Sequence, residues 1–414
     1  MIEFELTDRQ RQLHDALTNL GKGIIRPNTL SWDRNHGVPE DFYRNFLRMA
    51  SAFGGAQESA RFLGGDESSD EAKEAAREPK KPSQSNRTAA VASEVFGWAD
   101  ASLLLGLPGP GLGGPPVRSS GTPEQKRRFF GIFKDMVDGE LAWGAYGLTE
   151  PGAGSDVAAI RTSCVKDGDH WVLNGRKCFI TNGARAAWTV IFATVDPTLG
   201  RAGQRAFVVE KGTPGFSVGK IEEKMGLRAS ETAELVLEDC RVPAENLLGG
   251  EDAYRTKEGF MTAMKTFDTT RPLVAAMACG IGRAAYEYAC DFVRDHYLLS
   301  RPVPRYAAIA DKLARMGRRL EAARLLVYRA TYLADLGEPN AREASMAKAY
   351  AGQAATAACI DAIELCGAHG SLAGDHALVE KWFRDIKVFD IFEGTGNIQR
   401  IVISKRIVGN LKAF

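Results

Sequence analysis

Leu313, Met316, Leu320, Ala323, Val327, Ala330 and Ala334 step by three and four residues, a seam that narrows the choice of folds more than any other feature. Such spacing lines apolar side chains along one stripe of a helix, which must bury itself against other helices. Helical texture runs from Tyr254 to the end, and helices are predicted near 255–298, 305–336, 341–366, 377–390 and 397–411. The N-terminal part reads the same way. Thr7–Gln10 opens with a capping-box pattern, and apolar positions recur at helical spacing from Leu6 to about Met49. Helix is predicted again over Thr88–Leu105 and Pro123–Asp138, with a Gly- and Pro-rich interruption at Leu107–Pro116.

Between these parts the period changes. Thr162–Val165 and Trp171–Leu173 flank Lys166–His170 (KDGDH), a hairpin turn signal. Short apolar runs follow at Lys177–Ile180, Trp188–Thr194, Ala206–Val209 and Glu234–Leu237. Strands without intervening helices predict an antiparallel barrel or sandwich. The expected fold class is therefore α+β and multidomain: an N-terminal helical domain (1–142), a middle antiparallel β-barrel-like domain (143–250) and a C-terminal helical bundle (251–414). Residues 64–87 carry almost no large apolar side chains and many charges of both signs, which predicts a solvated loop rather than a regulatory insert.

Composition removes several function classes. The 53 basic and 52 acidic residues nearly cancel, so charge makes no case for nucleic acid or an anionic membrane. No apolar run approaches the ~20 residues that span a bilayer, and the first residues do not read as a signal peptide. Seven scattered cysteines without a C-x-x-C pair predict reduced thiols, a cytoplasmic protein and no metal site. P-loop and H-E-x-x-H patterns are missing, and no G-x-G-x-x-G sits between a strand and a helix. His369 and His376, close together in a Gly-rich turn, read as a surface pair rather than as ligands.

Two segments carry chemistry. Ala145–Asp156 (AYGLTEPGAGSD), with Phe179–Gly183 (FITNG) downstream, exposes backbone N–H groups on small residues. Thr149, Ser155 and Thr181 add hydroxyls suited to a heterocycle, although the same residues also suit a plain turn. In Arg384–Arg400 (RDIKVFDIFEGTGNIQR), Glu393 ends a helix beside Ile391 and Phe392. A carboxylate in apolar surroundings has a raised pKa and suits a general base, whereas a solvent-facing Glu at a helix junction does not.

Together the two segments resemble the Y-x-x-T-E-P-G-A-G-S-D and E-G-T-x-x-I-Q-R signatures of the acyl-CoA dehydrogenase family, and Phe267–Pro272 (FDTTRP) is similar to its CoA-contacting helix. The resemblance runs from Trp143 to Val408, is weaker through the N-terminal helices and fails over 54–87. It implies a C-terminal four-helix bundle, FAD, and oxidation of an acyl-CoA thioester to the trans-2-enoyl-CoA in lipid metabolism. By that resemblance Glu393 removes the α-proton, and its backbone N–H helps to hold the thioester carbonyl. Tyr146, Leu148, Thr149, Gly154, Ser155, Phe179 and Thr181 would line FAD, Phe179 standing where the family often has Trp. Ser155, Asp268, Arg271, Phe392 and Gly394 would contact substrate, while Thr395 and Asn397 would touch the adenosine or pyrophosphate part of FAD.

The departures set further expectations. The family's Arg-x-x-Phe-Gly clamp, which holds the FAD of a neighbouring subunit, falls on His296, Leu299, Ser300 and Ala307. Its Gln-x-x-Gly-Gly-x-Gly element reads Glu364–Gly370 here, with Gly367 and Gly370 retained. Weaker FAD binding follows from the resemblance, either in a homotetramer or in a hetero-oligomer with a related subunit. The Leu103–Pro116 segment predicts a wider pocket, for a long, branched or bulky acyl group. An electron-transfer flavoprotein is the implied acceptor. The alternatives are an acyl-CoA oxidase or flavin monooxygenase of the same fold, or a mainly structural partner subunit.

Overall fold

The computed structural model describes residues 4–50, 84–136, 139–254, 267–297 and 305–409. Helix α1 (Asp8–Leu20) starts at the expected capping box of Thr7 and Gln10. One π turn, Gly21–Ile25, leads into α2 (Arg26–Arg34), and residues 40–50 form α3. Helix α4 (Ser85–Gly106) covers the predicted span but bends at Asp100. The cause is local: Asp100 Oδ1 accepts from the Ser102 and Leu103 N–H groups at 2.7 and 3.3 Å, restarting the helix as an N-cap does. Of the charged segment, 64–83 lies outside the described residues, and Ser85, Asn86 and Arg87 belong to α4.

Residues 107–116 correct the expectation of open space. Pro115 and Pro116 occupy the first turn of α5 (Gly114–Ser120), where a missing N–H costs nothing. Nor is Gly113 a gap, because a Cβ there would stand 2.4 Å from the Ala145 carbonyl oxygen and 2.6 Å from the Trp188 ring. Gly109 donates to the Ala142 carbonyl and accepts from Gly144 N–H, each at 2.8 Å. Small residues here permit close approach to the sheet, so Gly111, Gly113 and Gly114 leave no open space. Helix α6 (Pro123–Gly131) follows, with a second capping box at Thr122 and Gln125.

Seven strands come next: β1 (Gly144–Gly147), β2 (Ser163–Asp167), β3 (His170–Thr181), β4 (Trp188–Thr194), β5 (Gln204–Glu210), β6 (Phe216–Ile221) and β7 (Thr232–Pro243). Their order is β1-β4-β2-β3-β7-β6, with β5 on β4. The predicted β2–β3 hairpin is present, and β3–β7, β6–β7 and β4–β5 are antiparallel too. Pairing differs from expectation at β1–β4, which is parallel from Gly144↔Trp188 to Gly147↔Ile191, and at the parallel contact Ser163↔Thr194. The connection from β1 to β4 contains a whole hairpin and is long enough for the crossover that parallel strands need. Strand β4 is buried throughout, between an apolar cluster around Leu173 and Phe207 and another around Phe129 and Phe192. Strands β1 and β6 carry no sequence signal: β1 is Gly-Ala-Tyr-Gly, and β6 buries no residue fully.

The helical end comprises α7 (Phe267–Tyr297), α8 (Arg305–Asp335), α9 (Ala341–Cys366), α10 (Ala377–Ile386) and α11 (Gly396–Val408). Met316, Leu320, Ala323, Val327 and Ala330 of the predicted seam are buried. Helix α9 buries Ala347, Ala351, Ala355 and Ala358, small side chains that let α7 and α8 pack closely on it. Among the described residues no helix is long and apolar enough to cross a membrane.

Candidate active site

After α10 the chain makes one 3-10 turn (Lys387–Asp390) and reverses at Glu393 and Gly394 before α11. Both residues have left-handed backbone, with φ of 57° and 92°. For glycine this is free, whereas for glutamate it costs about 1–2 kcal/mol and must be held by neighbours. Gln399 Nε2 does so, donating to the Glu393 and Gly394 carbonyls at 3.2 and 2.9 Å. Lys348 Nζ, reaching over from α9, donates to the Gly394 carbonyl at 2.7 Å. Thr395 Oγ1 accepts from Ile398 N–H at 3.3 Å and starts α11, on whose exposed side Arg400 donates to Asn397.

The Glu393 carboxylate meets the start of α7, where Thr270 Oγ1 donates to its Oε2 at 2.8 Å. Burial pushes this carboxyl above its ordinary value, while the Thr270 hydroxyl and the Arg271 and Lys348 cations pull it down. Tyr146 on β1 lies close enough that its phenol, raised by burial, is raised further by the Glu393 charge. Phe392 packs edge-on to Phe389 with ring centroids 5.0 Å apart. Asp268 is on α7, and its side chain lies outside the described residues.

A second group is stitched to strand β3. Lys177, wholly buried, donates to Glu150 Oε1 at 2.6 Å and to the Leu148 carbonyl at 3.2 Å. Cys178 N–H donates to the Thr149 carbonyl at 2.9 Å, and Glu150 also accepts from the Arg161 and Thr162 N–H groups. Beyond these ties Gly152, Gly154 and Ser155 are exposed, with open space over both glycines. Phe179 sits at a β-bulge between Lys177 and Ile180 with φ 59°, and 65% of it is exposed. A bulge re-aims a side chain, here an aromatic ring turned outward beside Thr181. An exposed ring, an open glycine loop and the nearby residues Thr149 and Thr181 fit a flat heterocycle such as a flavin.

The third group stands apart. Glu364, Gly367 and Gly370 lie at the C-terminal end of α9, roughly 24 Å of helix from Lys348. His296 ends α7, where its ring stacks on Phe292 at 3.9 Å and joins His369 and His376 in one aromatic cluster. Glu364 is ion-paired with Lys312. Leu299 falls outside the described residues. Within one chain Glu364, Gly367, Gly370 and His296 do not reach Glu393. Among the described residues, no group of three side chains is arranged to hold a metal ion. The sequence reading missed Thr270, Lys348 and Gln399, although Gln399 belongs to the same motif as Glu393 and Lys348 is a lone cation on an alanine-lined helix face.

Residues 145–240 match the acyl-CoA dehydrogenase middle-domain family, and 257–408 match the acyl-CoA dehydrogenase C-terminal-domain family. Cyclohexane-1-carbonyl-CoA dehydrogenase of Syntrophus aciditrophicus is 43% identical over 318 residues, 77% of this chain and 80% of that relative. This chain belongs to the acyl-CoA dehydrogenase family. Butyryl-CoA dehydrogenase from Megasphaera elsdenii has a similar structure, with a TM-score of 0.83 and 32% identity over 98% of this chain and all of that one. A chain in a structure of the electron transferring flavoprotein of Acidaminococcus fermentans matches with a TM-score of 0.81 and 33% identity over the full length of both. As an acyl-CoA dehydrogenase family member this protein is an oxidoreductase and a flavoprotein, and its cofactor is FAD.

Proposed function

We propose that this chain oxidises an acyl-CoA thioester to the trans-2-enoyl-CoA, with Glu393 as the base that takes the α-proton. One observation carries the reading: the Glu393 carboxylate is set on a left-handed turn, raised by burial and oriented through Oε2 by the Thr270 hydroxyl. A carboxylate raised in this way is a stronger base, better matched to a weakly acidic carbon. The Glu393 backbone N–H, on a turn whose two carbonyls are pinned by Gln399 and Lys348, is the donor we assign to the thioester oxygen. Arg271 and Asp268 at the start of α7, with Ser155 on the open loop, are assigned to the CoA end, and Phe392 and Gly394 to the acyl end.

FAD bound against Tyr146, Leu148, Thr149, Gly154, Ser155, Phe179 and Thr181 supplies the acceptor for the β-hydrogen and its electron pair. His296, Leu299, Glu364, Gly367 and Gly370 we assign to the FAD of a neighbouring chain, with Thr395 and Asn397 at its adenosine end. The length of α9 supports this division, and Lys312 offsets the negative charge that Glu364 brings. A homotetramer or a hetero-oligomer would supply that second chain. An electron-transfer flavoprotein is the proposed acceptor, in keeping with the similarity to a chain from such a structure. We place the protein in the cytoplasm, in acyl-CoA oxidation. A branched or cyclic acyl group is proposed on the likeness to cyclohexane-1-carbonyl-CoA dehydrogenase, since packing at 107–116 removes the earlier reason for a wide pocket.

The test is Glu393→Gln. Turnover of butyryl-CoA and cyclohexane-1-carbonyl-CoA should fall by about 10²–10⁴-fold, with the flavin absorption band retained. Undiminished turnover would remove Glu393 as the base.

A further inference from the structure

Lys348 carries a charge for which the proposed reaction has so far named no use. It lies on the alanine-lined face of α9 and is 1% exposed. Its Nζ donates at 2.7 Å to the carbonyl of Gly394, the residue after the base. The same carbonyl, with that of Glu393, also receives Gln399 Nε2. The turn that presents the carboxylate is thus fastened from α9 and from α11, one fastening charged and the other neutral.

We propose that Lys348 is a positioning residue for Glu393, fixing the turn that aims the carboxylate and setting, through its charge, the pH at which the base becomes available. This rests on the reading of Glu393 as the base. Among the described residues, Thr270 and Arg271 from α7, Lys348 from α9 and Tyr146 from β1 face Glu393, and Asp390 on the same segment faces Lys348. Arg271 and Lys348 favour the ionised carboxylate. With Arg271 assigned to the CoA end of the substrate, Lys348, which also faces Asp390, is the second cation beside the base. Burial brings Lys348 down to about 8, with Asp390 and Glu393 holding it up and Arg271 pushing it down.

The direction of the effect follows from charge. A cation beside a carboxylate lowers its pKa, so removing the cation raises the pKa and moves the acid limb of kcat/KM to higher pH. A role limited to packing would lower activity equally at every pH.

The experiment uses the FAD-loaded enzyme and three variants: Lys348→Gln, which keeps an N–H donor and loses the charge, Lys348→Met, which loses both, and Lys348→Arg, which keeps both. In Lys348→Gln and Lys348→Met the acid limb should move up by about half to one pH unit, costing roughly three- to tenfold in kcat/KM below the limb. KM should change less than kcat, and Lys348→Arg should keep the limb of the parent enzyme. Exchange of the substrate α-proton with deuterated solvent, which reads proton removal without oxidation, should shift along the same limb. An unmoved limb in Lys348→Gln and Lys348→Met, or failure of both to fold with flavin bound, would make Lys348 a core residue only and overturn the proposal. Glu393→Gln is measured alongside. If it keeps turning over, the assignment of the base has failed, whatever the Lys348 variants do.

Discussion

Thr270 Oγ1 and Glu393 Oε2 are 2.8 Å apart although 123 residues separate them in sequence. The hydroxyl orients the carboxylate and draws its pKa down against the larger push from burial. Thr270→Val removes the donor and keeps the shape. Glu393 should then ionise at higher pH, and kcat/KM should fall about tenfold on the acid side and recover as pH rises. A pH–rate profile checks this, and a loss of the same size at all pH values would contradict it.

Glu393 itself should weaken the fold at neutral pH. Its carboxyl is raised in the folded state, so the folded protein binds that proton more readily than the unfolded chain. The resulting stabilisation is complete below the unfolded pKa of about 4.3 and is lost as pH rises through the folded value. Glu393→Gln should therefore melt higher than the parent near pH 7.5, by about 1–3 °C, with the gap closing toward pH 4. Calorimetry at both pH values reads the difference.

Phe179 combines strain with exposure, since a bulky residue at φ 59° is unfavourable and its ring buries little. Its value should lie in a ligand. Phe179→Ala should leave the melting temperature of the flavin-free protein unchanged and weaken FAD binding about tenfold, as expected for one lost aromatic stack. Fluorescence titration with FAD measures the second effect. Equal affinity would remove Phe179 from the flavin site.

Lys381 is a buried cation with a structural task. It lies 2.5 Å from Asp385 and 3.3 Å from Asp100, and Asp385 also accepts from Leu227 N–H at 2.6 Å. One ammonium thus ties α10 to the bend of α4 and to the loop before β7. Lys381→Met would leave two carboxylates buried without their cation and should cost about 3–5 kcal/mol in urea unfolding. The loss should shrink under acid, where Asp385, raised by burial, takes up a proton.

Much of the helical fold was legible from the sequence because it depends on local rules. The seam from Met316 to Ala330, the capping box at Thr7 and the span of α9 follow from side-chain periodicity and end signals. The two signature segments pointed to Glu393 and to the open glycine loop because a long motif keeps its residues in a fixed order. Strands β1 and β6 were not legible, one being four small or aromatic residues and the other too exposed to alternate.

The Gly–Pro stretch at 107–116 shows where local reading stops. A glycine that makes room for a ligand and a glycine pressed against a neighbouring backbone are spelled alike, and only the approach of Ala145 and Trp188 to Gly113 tells them apart. The bend at Asp100 and the parallel pairing of β1 with β4 depend likewise on partners far along the chain or on competition between local structures.

By itself the sequence determined the order of helical, strand and helical parts, the motif that holds the base and the small residues of the glycine loop, since these depend on neighbours in the chain. Tertiary structure alone decided that Thr270 and Lys348 would meet the Glu393 turn and that Lys177 would pin the loop to β3. It also decided that the His296 cluster would stand at the far end of the bundle. Contacts of that kind join residues tens to hundreds of positions apart, and burial there sets the charge and pKa of each group, which no short window of sequence contains.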